Sequence, residues 1–361
     1  MDDFSVALVG PHPPPYGGVS VHVERLHERL EALGISSRVY CQPSSEAKAR
    51  GERVVHARLR FSWYCWVLEH AWRCDAGIVH FYEGWRWAPA ALVVLLRGKK
   101  VVMAFHNQRV TGEMWQRTPR LARWATRRLV RHPRAWWVGA TQAVKGQLVE
   151  MGVDPARITV APAYLPPRRG ATTALPAPIR DFVGVHSPVL STYAWQLSRD
   201  AQGVDVYGFD LCVGLVRSLR EVFPRIGLVL RMSNVADAAY LDDLQARVAA
   251  DGTKDHVLFT TAPLEDAQAL WGASDVHVRA TSTDGDAVAV REALDLRVPV
   301  VASDASVRPE GTVLFKTRDQ EDLTRAVREV LTHHADHVRA LQSVAVVDNF
   351  PPLLELYRAI A

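Results

Sequence analysis

No apolar run in these 361 residues approaches the ~20 needed to span a bilayer, which argues against a helical membrane span. Cysteine is sparse. Cys41, Cys65, Cys74 and Cys212 have neither paired metal spacing nor a disulfide framework, so reduced thiols are expected. No G-x-G-x-x-G follows the first strand-like segment, which speaks against a dinucleotide enzyme. No short-period repeat marks a solenoid, and no RNA- or DNA-binding module is visible, so nucleic acid is not an expected partner. The opening MDDFSVALVG is acidic and then strand-like rather than a signal peptide, so a cytoplasmic protein is expected. Lysine is scarce, 6 against 37 arginines, a bias that by composition alone points to a GC-rich source.

What is present suits two domains, because 361 residues exceed what one core organises. Hydrophobic content of 48% and charged content of 23% are ordinary for a globular chain. Charge is divided unevenly. Residues 1–165 hold 23 Lys and Arg against 13 Asp and Glu, whereas the remainder holds 20 against 26. The basic half is therefore expected to face something anionic.

Short β-branched runs alternate with amphipathic ones along the whole chain. Phe4 to Gly10 reads as a strand, and PHPPPYGG (11–18) as a loop. Val19, Val23, Leu26, Leu30 and Leu33 mark one face of a helix that Gly34 ends. A helix is expected from Phe61 to Arg73. Strands follow at Gly77–Phe81, Lys100–Phe105, Trp136–Gly139 and Arg157–Ala161. Prolines from Pro162 to Pro188 mark an interdomain linker. Alternation then restarts with strands at Val189–Tyr193, Ile226–Arg231 and His256–Thr260. The expected division is residues 1–165, a linker at 166–187, a second domain at 188–349 and a final helix at 350–361 crossing back to the first. The fold class is α/β, two Rossmann-like doubly wound sheets.

The stretch DVHVRATSTDGDAVAVREALDLRVPVVAS (275–303) organises the second half. It reads as strand, small polar loop, amphipathic helix and strand. Glu292 follows Asp284 by eight residues, about two helical turns, so both carboxyls are expected to face one bound molecule. A helix N-terminus following a flexible loop is a seat for phosphate. Asp284-Gly285-Asp286 also forms a D-x-D, but Asp286 is read as a loop residue and no metal is expected.

This stretch resembles the C-terminal signature of the retaining nucleotide-sugar glycosyltransferases of family 4, which have the two-domain GT-B fold with a cleft between the domains. The family's E-x7-E is kept at Glu292 and shortened to Asp284 at its first acid, and its opening, typically P-x-x-G-G-x7-L, is resembled at Pro15, Gly17, Gly18 and Leu26, with the proline one place nearer the glycines. The resemblance implies a donor site of Gly17, Gly18, Gly285, Asp286, Ala287, Val288 and Glu292, with Glu292 on the ribose hydroxyls. It also implies that His106, after the strand KVVMAF, contacts the donor sugar. One departure stands out: Tyr207, in YGFDL, occupies the position of a diphosphate-clamping lysine. Arg199 is then expected to supply charge beside Asp284 and His106, with Arg231 and Arg279, placed at strand ends, as fallbacks.

Thr118 and Pro119 open a helix that finishes by Pro133, and Arg120, Arg123, Arg127, Arg131 and Arg134 follow at helical spacing, the last just beyond it. No acid occurs between Glu113 and Glu150, and nine of the eleven tryptophans lie between Trp63 and Trp137. Two readings stand side by side: an anionic membrane or lipid-linked acceptor face, and a solvated charge stripe over a tryptophan-rich core. The resulting expectation is a retaining, metal-independent transferase with a UDP- or GDP-type sugar donor and no cofactor. Its acceptor is expected to be a glycan, a lipid-linked molecule or a small molecule. It would work in cell-surface polysaccharide or glycolipid synthesis, at the inner face of the cell membrane. The alternatives are a natural-product transferase and a non-catalytic scaffold that binds donor without turnover.

Overall fold

In the computed structural model, residues 4–14, 16–41, 54–56, 75–82, 84–106, 110–167, 174–262, 264 and 267–361 are described. The chain divides into two compact units, Met1–Pro167 with Asp348–Ala361, and Arg168–Val347.

The first unit contains β1 (Ser5–Val9), β2 (Ser36–Cys41), β3 (Val54–His56), β4 (Ile78–Tyr82), β5 (Lys100–Phe105), β6 (Ala135–Gly139) and β7 (Ile158–Val160). They form one sheet ordered β3-β2-β1-β4-β5-β6-β7, parallel throughout. Central parallel strands are covered on both faces and so read as continuous apolar runs. β4, IVHFY, is buried at every position. Val79, Phe81, Trp85, Met103 and Trp137 belong to one core cluster, and Leu8, Val23, Leu26 and Ile78 to another. The chain's last helix, Phe350–Ile360, joins the second of these through Leu353, Leu356 and Tyr357. It is fastened by Arg29, whose two Nη groups donate to the two Asp348 carboxylate oxygens at 2.7 and 2.6 Å.

The second unit contains β8 (Val189–Leu197), β9 (Gly227–Val235), β10 (Val257–Thr260), β11 (Val276–Arg279), β12 (Val300–Ser303) and β13 (Thr312–Phe315). The sheet is parallel in the order β10-β9-β8-β11-β12-β13. In each sheet the strand order reverses at one place, between β1 and β4 and between β8 and β11. Ligands of such sheets gather outside the strand carboxyl ends at that point.

Three expectations need correction. The segment 166–187 is more than a linker, since Ala177–Val185 is a helix whose Ile179 is fully buried with Val229, Leu270 and Val290. Its prolines sit at the helix start, where a missing N–H costs nothing. Arg231 lies in the middle of β9 rather than at a strand end, because β8 and β9 continue together to Leu197 and Val235. Asp348 and Asn349, assigned from sequence to the second domain, belong with the first unit. The helix expected over 61–73 lies outside the described residues.

Candidate functional site

In the second unit, the loop after β11 leads into the helix Val288–Asp295, with Ala287 as its N-cap. Gly285 and Asp286 lie in the loop before this helix, and Val288 is its first residue. Asp284 is held in a buried ion cluster. Arg279 donates to both of its oxygens, at 2.9 and 3.1 Å, and Arg308 donates to it at 2.8 Å. Burial alone would raise this carboxyl's pKa, but the two guanidiniums outweigh it and hold it at about 2. Arg308 also donates to Thr281 Oγ1 and to Ser303, so the loop is tied to β12.

Glu292 is buried just over one turn along the helix, which begins only at Val288, and accepts from the Trp271 indole at 3.1 Å. The two acids therefore have separate neighbours: guanidiniums for Asp284, an indole for Glu292. Asp286 pairs with Arg291 of the same helix at 2.6 Å. Both carboxylates of the D-x-D are thus engaged by arginines.

Tyr207 precedes Gly208, which has φ +70°; a Cβ there would lie 2.1 Å from the Ala280 carbonyl oxygen, so only glycine fits. The amides of Tyr207, Gly208 and Phe209 donate to the buried Asp205 carboxylate, as does the Tyr240 hydroxyl at 2.8 Å. A carboxylate of the chain itself thus caps the helix Phe209–Leu219, at the place where an N-terminus offers donors to an anion. The Arg279 guanidinium lies over the Tyr207 ring. Arg199 is matched locally, paired with Asp237 at 2.9 Å and stacked on Tyr240.

Arg231 is in a different state. It is 4% exposed, over the Tyr193 ring, donating to Ser233 Oγ and, at 3.3 Å, to the Ala262 carbonyl. Its Nε has no partner.

In the first unit, Gly17 caps the helix Gly18–Ala32, its amide donating to Ser20 Oγ at 2.9 Å. His106 is buried just beyond β5, its Nδ1 without a partner, with its ring 4.7 Å from that of His22. His22 Nδ1 donates to the Ala163 carbonyl at 2.7 Å. The Tyr82 hydroxyl lies 3.3 Å from His80 Nδ1, which is 2.5 Å from the Tyr357 hydroxyl. Burial and, secondarily, the charge of neighbouring histidines push His80 and His106 well below the usual histidine range. His22 falls to about 4, chiefly through burial, opposed by its bond to Ala163 and assisted by Arg25.

The basic helix Arg120–Leu129 buries Ala122, Ala125, Thr126 and Leu129. Leu121 and Trp124 project outward, 66% and 53% exposed, among exposed Arg120, Arg127, Arg128 and Arg131. Arg123 turns back instead, donating to the Thr118 and Gln116 carbonyls, so it is not part of the open face. Trp85, Trp87 and Trp137 are core residues. Among the described residues no helix is long and apolar enough to cross a membrane.

The sequence reading missed Arg308, Trp271, Tyr193, His22 and His80. Arg308 lies in a loop with no periodic signal, and His80 is hidden inside an apolar strand.

The sequence model of Glycosyltransferase Family 4 matches residues 16–166, and that of Glycosyl transferases group 1 matches residues 214–333. No curated protein matches this sequence. Solved structures share the fold at low identity. HepE of Anabaena, in complex with UDP-glucose, is 14% identical with a TM-score of 0.73, covering 98% of this chain and 99% of that one. Sucrose-phosphate synthase of Thermosynechococcus elongatus is 16% identical, with a TM-score of 0.69 and 99% coverage of both chains. WaaG, a glycosyltransferase involved in lipopolysaccharide biosynthesis, is 16% identical with a TM-score of 0.67, covering 97% of this chain and 98% of its own.

Proposed function

Because this chain belongs to the family 4-like glycosyltransferases of GT-B fold, we propose that it moves a sugar from a nucleoside-diphosphate donor to an acceptor hydroxyl with retention of configuration. The observation that carries the reading is Glu292, a buried acid just over one turn into the helix that follows the β11 loop at the switch point of the second sheet. A carboxylate there suits the paired hydroxyls of a ribose. UDP is the favoured nucleotide, in keeping with the UDP and UDP-glucose complexes of HepE.

Such a reaction needs no protein nucleophile. Departure of the nucleoside diphosphate builds negative charge on its β-phosphate, and fixed amides and guanidiniums stabilise that charge. The acceptor hydroxyl passes its proton to the leaving phosphate. The reading is metal-independent and cofactor-free, supported by arginine pairing of both D-x-D carboxylates. The acceptor is a lipid-linked or cell-surface glycan, reached at the inner face of an anionic membrane. Leu121 and Trp124 among four exposed arginines support this.

Tyr207 in the expected place of a lysine favours a second reading, a partner that binds donor without turnover. Calorimetric titration of UDP, GDP and their sugars into wild type and Glu292→Ala, with and without EDTA, tests the donor site. Proton NMR of the product's anomeric centre tests retention. UDP binding that ignores EDTA and is lost in Glu292→Ala supports the donor site, and its absence in wild type overturns it. Binding with no transfer to any glycan or lipid acceptor favours the partner reading.

A further inference from the structure

Trp271 lies in the short helix Gln268–Gly272 and is fully buried. Its indole Nε1–H donates to Glu292 Oε2 at 3.1 Å, across 21 positions of sequence. The ring itself is held from two further sides. The His277 ring of β11 stands 4.4 Å from it, and the Tyr193 ring of β8 meets it edge-on at 6.3 Å. Val290 and Ala293, from the helix that carries Glu292, belong to the same core cluster as Trp271. Three elements besides its own thus fix the indole, and the indole fixes one carboxylate oxygen.

The kind of donor matters. An indole N–H only donates, whereas a hydroxyl can rotate to become an acceptor and an amide can flip. A carboxylate held in this way is oriented before a ligand arrives, so the entropy of ordering a glutamate side chain no longer weighs against binding. It also keeps capacity for more donors, since one carboxylate offers about four lone-pair sites. Two ribose hydroxyls and one indole make three. The bond is not simply what any core indole finds: Nε1 of the equally buried Trp137 has no partner. We propose that Trp271 is a positioning residue of the donor site, holding the Glu292 carboxylate in the orientation that receives the 2′- and 3′-hydroxyls of a nucleotide's ribose. It thereby sets the preference for ribonucleotides over deoxynucleotides.

This inference rests on the donor reading, and the test separates the two. UDP and 2′,3′-dideoxy-UDP are titrated calorimetrically into wild type, Trp271→Phe and a matched control, Trp137→Phe. Phenylalanine keeps an aromatic ring against His277 and Tyr193 and removes the N–H donor. Wild type is expected to favour UDP by at least about tenfold. Trp271→Phe is expected to shrink that preference about fivefold or more while dideoxy-UDP affinity stays within about twofold. Trp137→Phe should leave the preference as it is. Glu292→Gln should lose it, and adding Trp271→Phe to Glu292→Gln should change it no further, because the two side chains act as one unit. Trp271→Tyr carries the same comparison if the phenylalanine variant does not fold. A wild-type preference retained in Trp271→Phe overturns the proposal and leaves the donor reading standing. Equal weakening of both nucleotides does the same, since it marks a ring that only supports the fold. A wild type that binds neither nucleotide overturns the donor reading, and this inference with it.

Discussion

The Arg279 guanidinium lies 5.1 Å from the centre of the Tyr207 ring, so the residue in the expected place of a lysine is occupied in supporting a cation rather than being one. Cation–π contacts are worth roughly 0.5–2 kcal/mol, the larger figure applying when water is excluded. Restoring the family's residue here should therefore harm. Tyr207→Lys places a second positive charge against Arg279, and we expect its melting temperature to fall while UDP affinity does not improve. Differential scanning calorimetry with UDP titration reads both. A gain in UDP affinity would return the clamp to position 207.

Asp284 neutralises two buried arginines, and removing its charge should be costly. Breaking a buried pair by deleting one partner costs about 3–5 kcal/mol, so Asp284→Asn is expected to lose stability on that scale in urea denaturation. The pH dependence follows from the depressed carboxyl. Its ordinary value is 3.8 and its folded value about 2, so the stabilisation is full above about pH 4 and disappears as pH falls through 2. On the order of 2 kcal/mol is at stake. Acid unfolding followed by circular dichroism should show this loss in wild type and not in Asp284→Asn.

At His22 stability is lost in the same direction, on acidification, but at higher pH and because burial keeps it neutral rather than charged. Its folded value of about 4 lies below the ordinary 6.5, so the unfolded chain takes the proton first. Stability is full above pH 6.5 and falls as pH drops, by roughly 3 kcal/mol at pH 4. His22→Gln should flatten the melting curve between pH 7 and pH 4.5 relative to wild type. A wild-type melting temperature that does not fall over that range would contradict the buried neutral assignment.

Exposed Leu121 and Trp124 should enter an anionic bilayer surface. Vesicles containing phosphatidylserine are expected to sediment the protein and shift its tryptophan emission to the blue, less so at high salt. Trp124→Asp with Leu121→Asp should abolish both effects without changing the melting temperature. Equal sedimentation with neutral phosphatidylcholine vesicles would count against the arginine face.

Much of the second sheet was legible because its signals are local. The run Val298–Val301 holds three valines, and the helix before it repeats its apolar positions at 3.6-residue spacing, which fixes Glu292 on the buried side. Ser233 and Asn234 carry no strand signal, so local pattern ends the strand near Arg231; pairing with β8 carries it on to Val235. Backbone hydrogen bonding across strands has no signature in either sequence alone. Arg308 was invisible for a related reason. Its partner Asp284 lies 24 residues away, and nothing in local pattern says which of 37 arginines a buried carboxylate will select. The helix Ala177–Val185 was obscured by prolines that begin it.

The order of synthesis follows from the place of the last helix. Leu353, Leu356 and Tyr357 leave the ribosome after every residue of the second unit, yet they complete the core around Leu8, Val23 and Ile78. The first unit to be made is thus the last to be finished. A nascent chain carries that uncovered apolar surface for the whole time the second sheet is being translated, and a stop codon shortly before Asp348 would leave it uncovered for good.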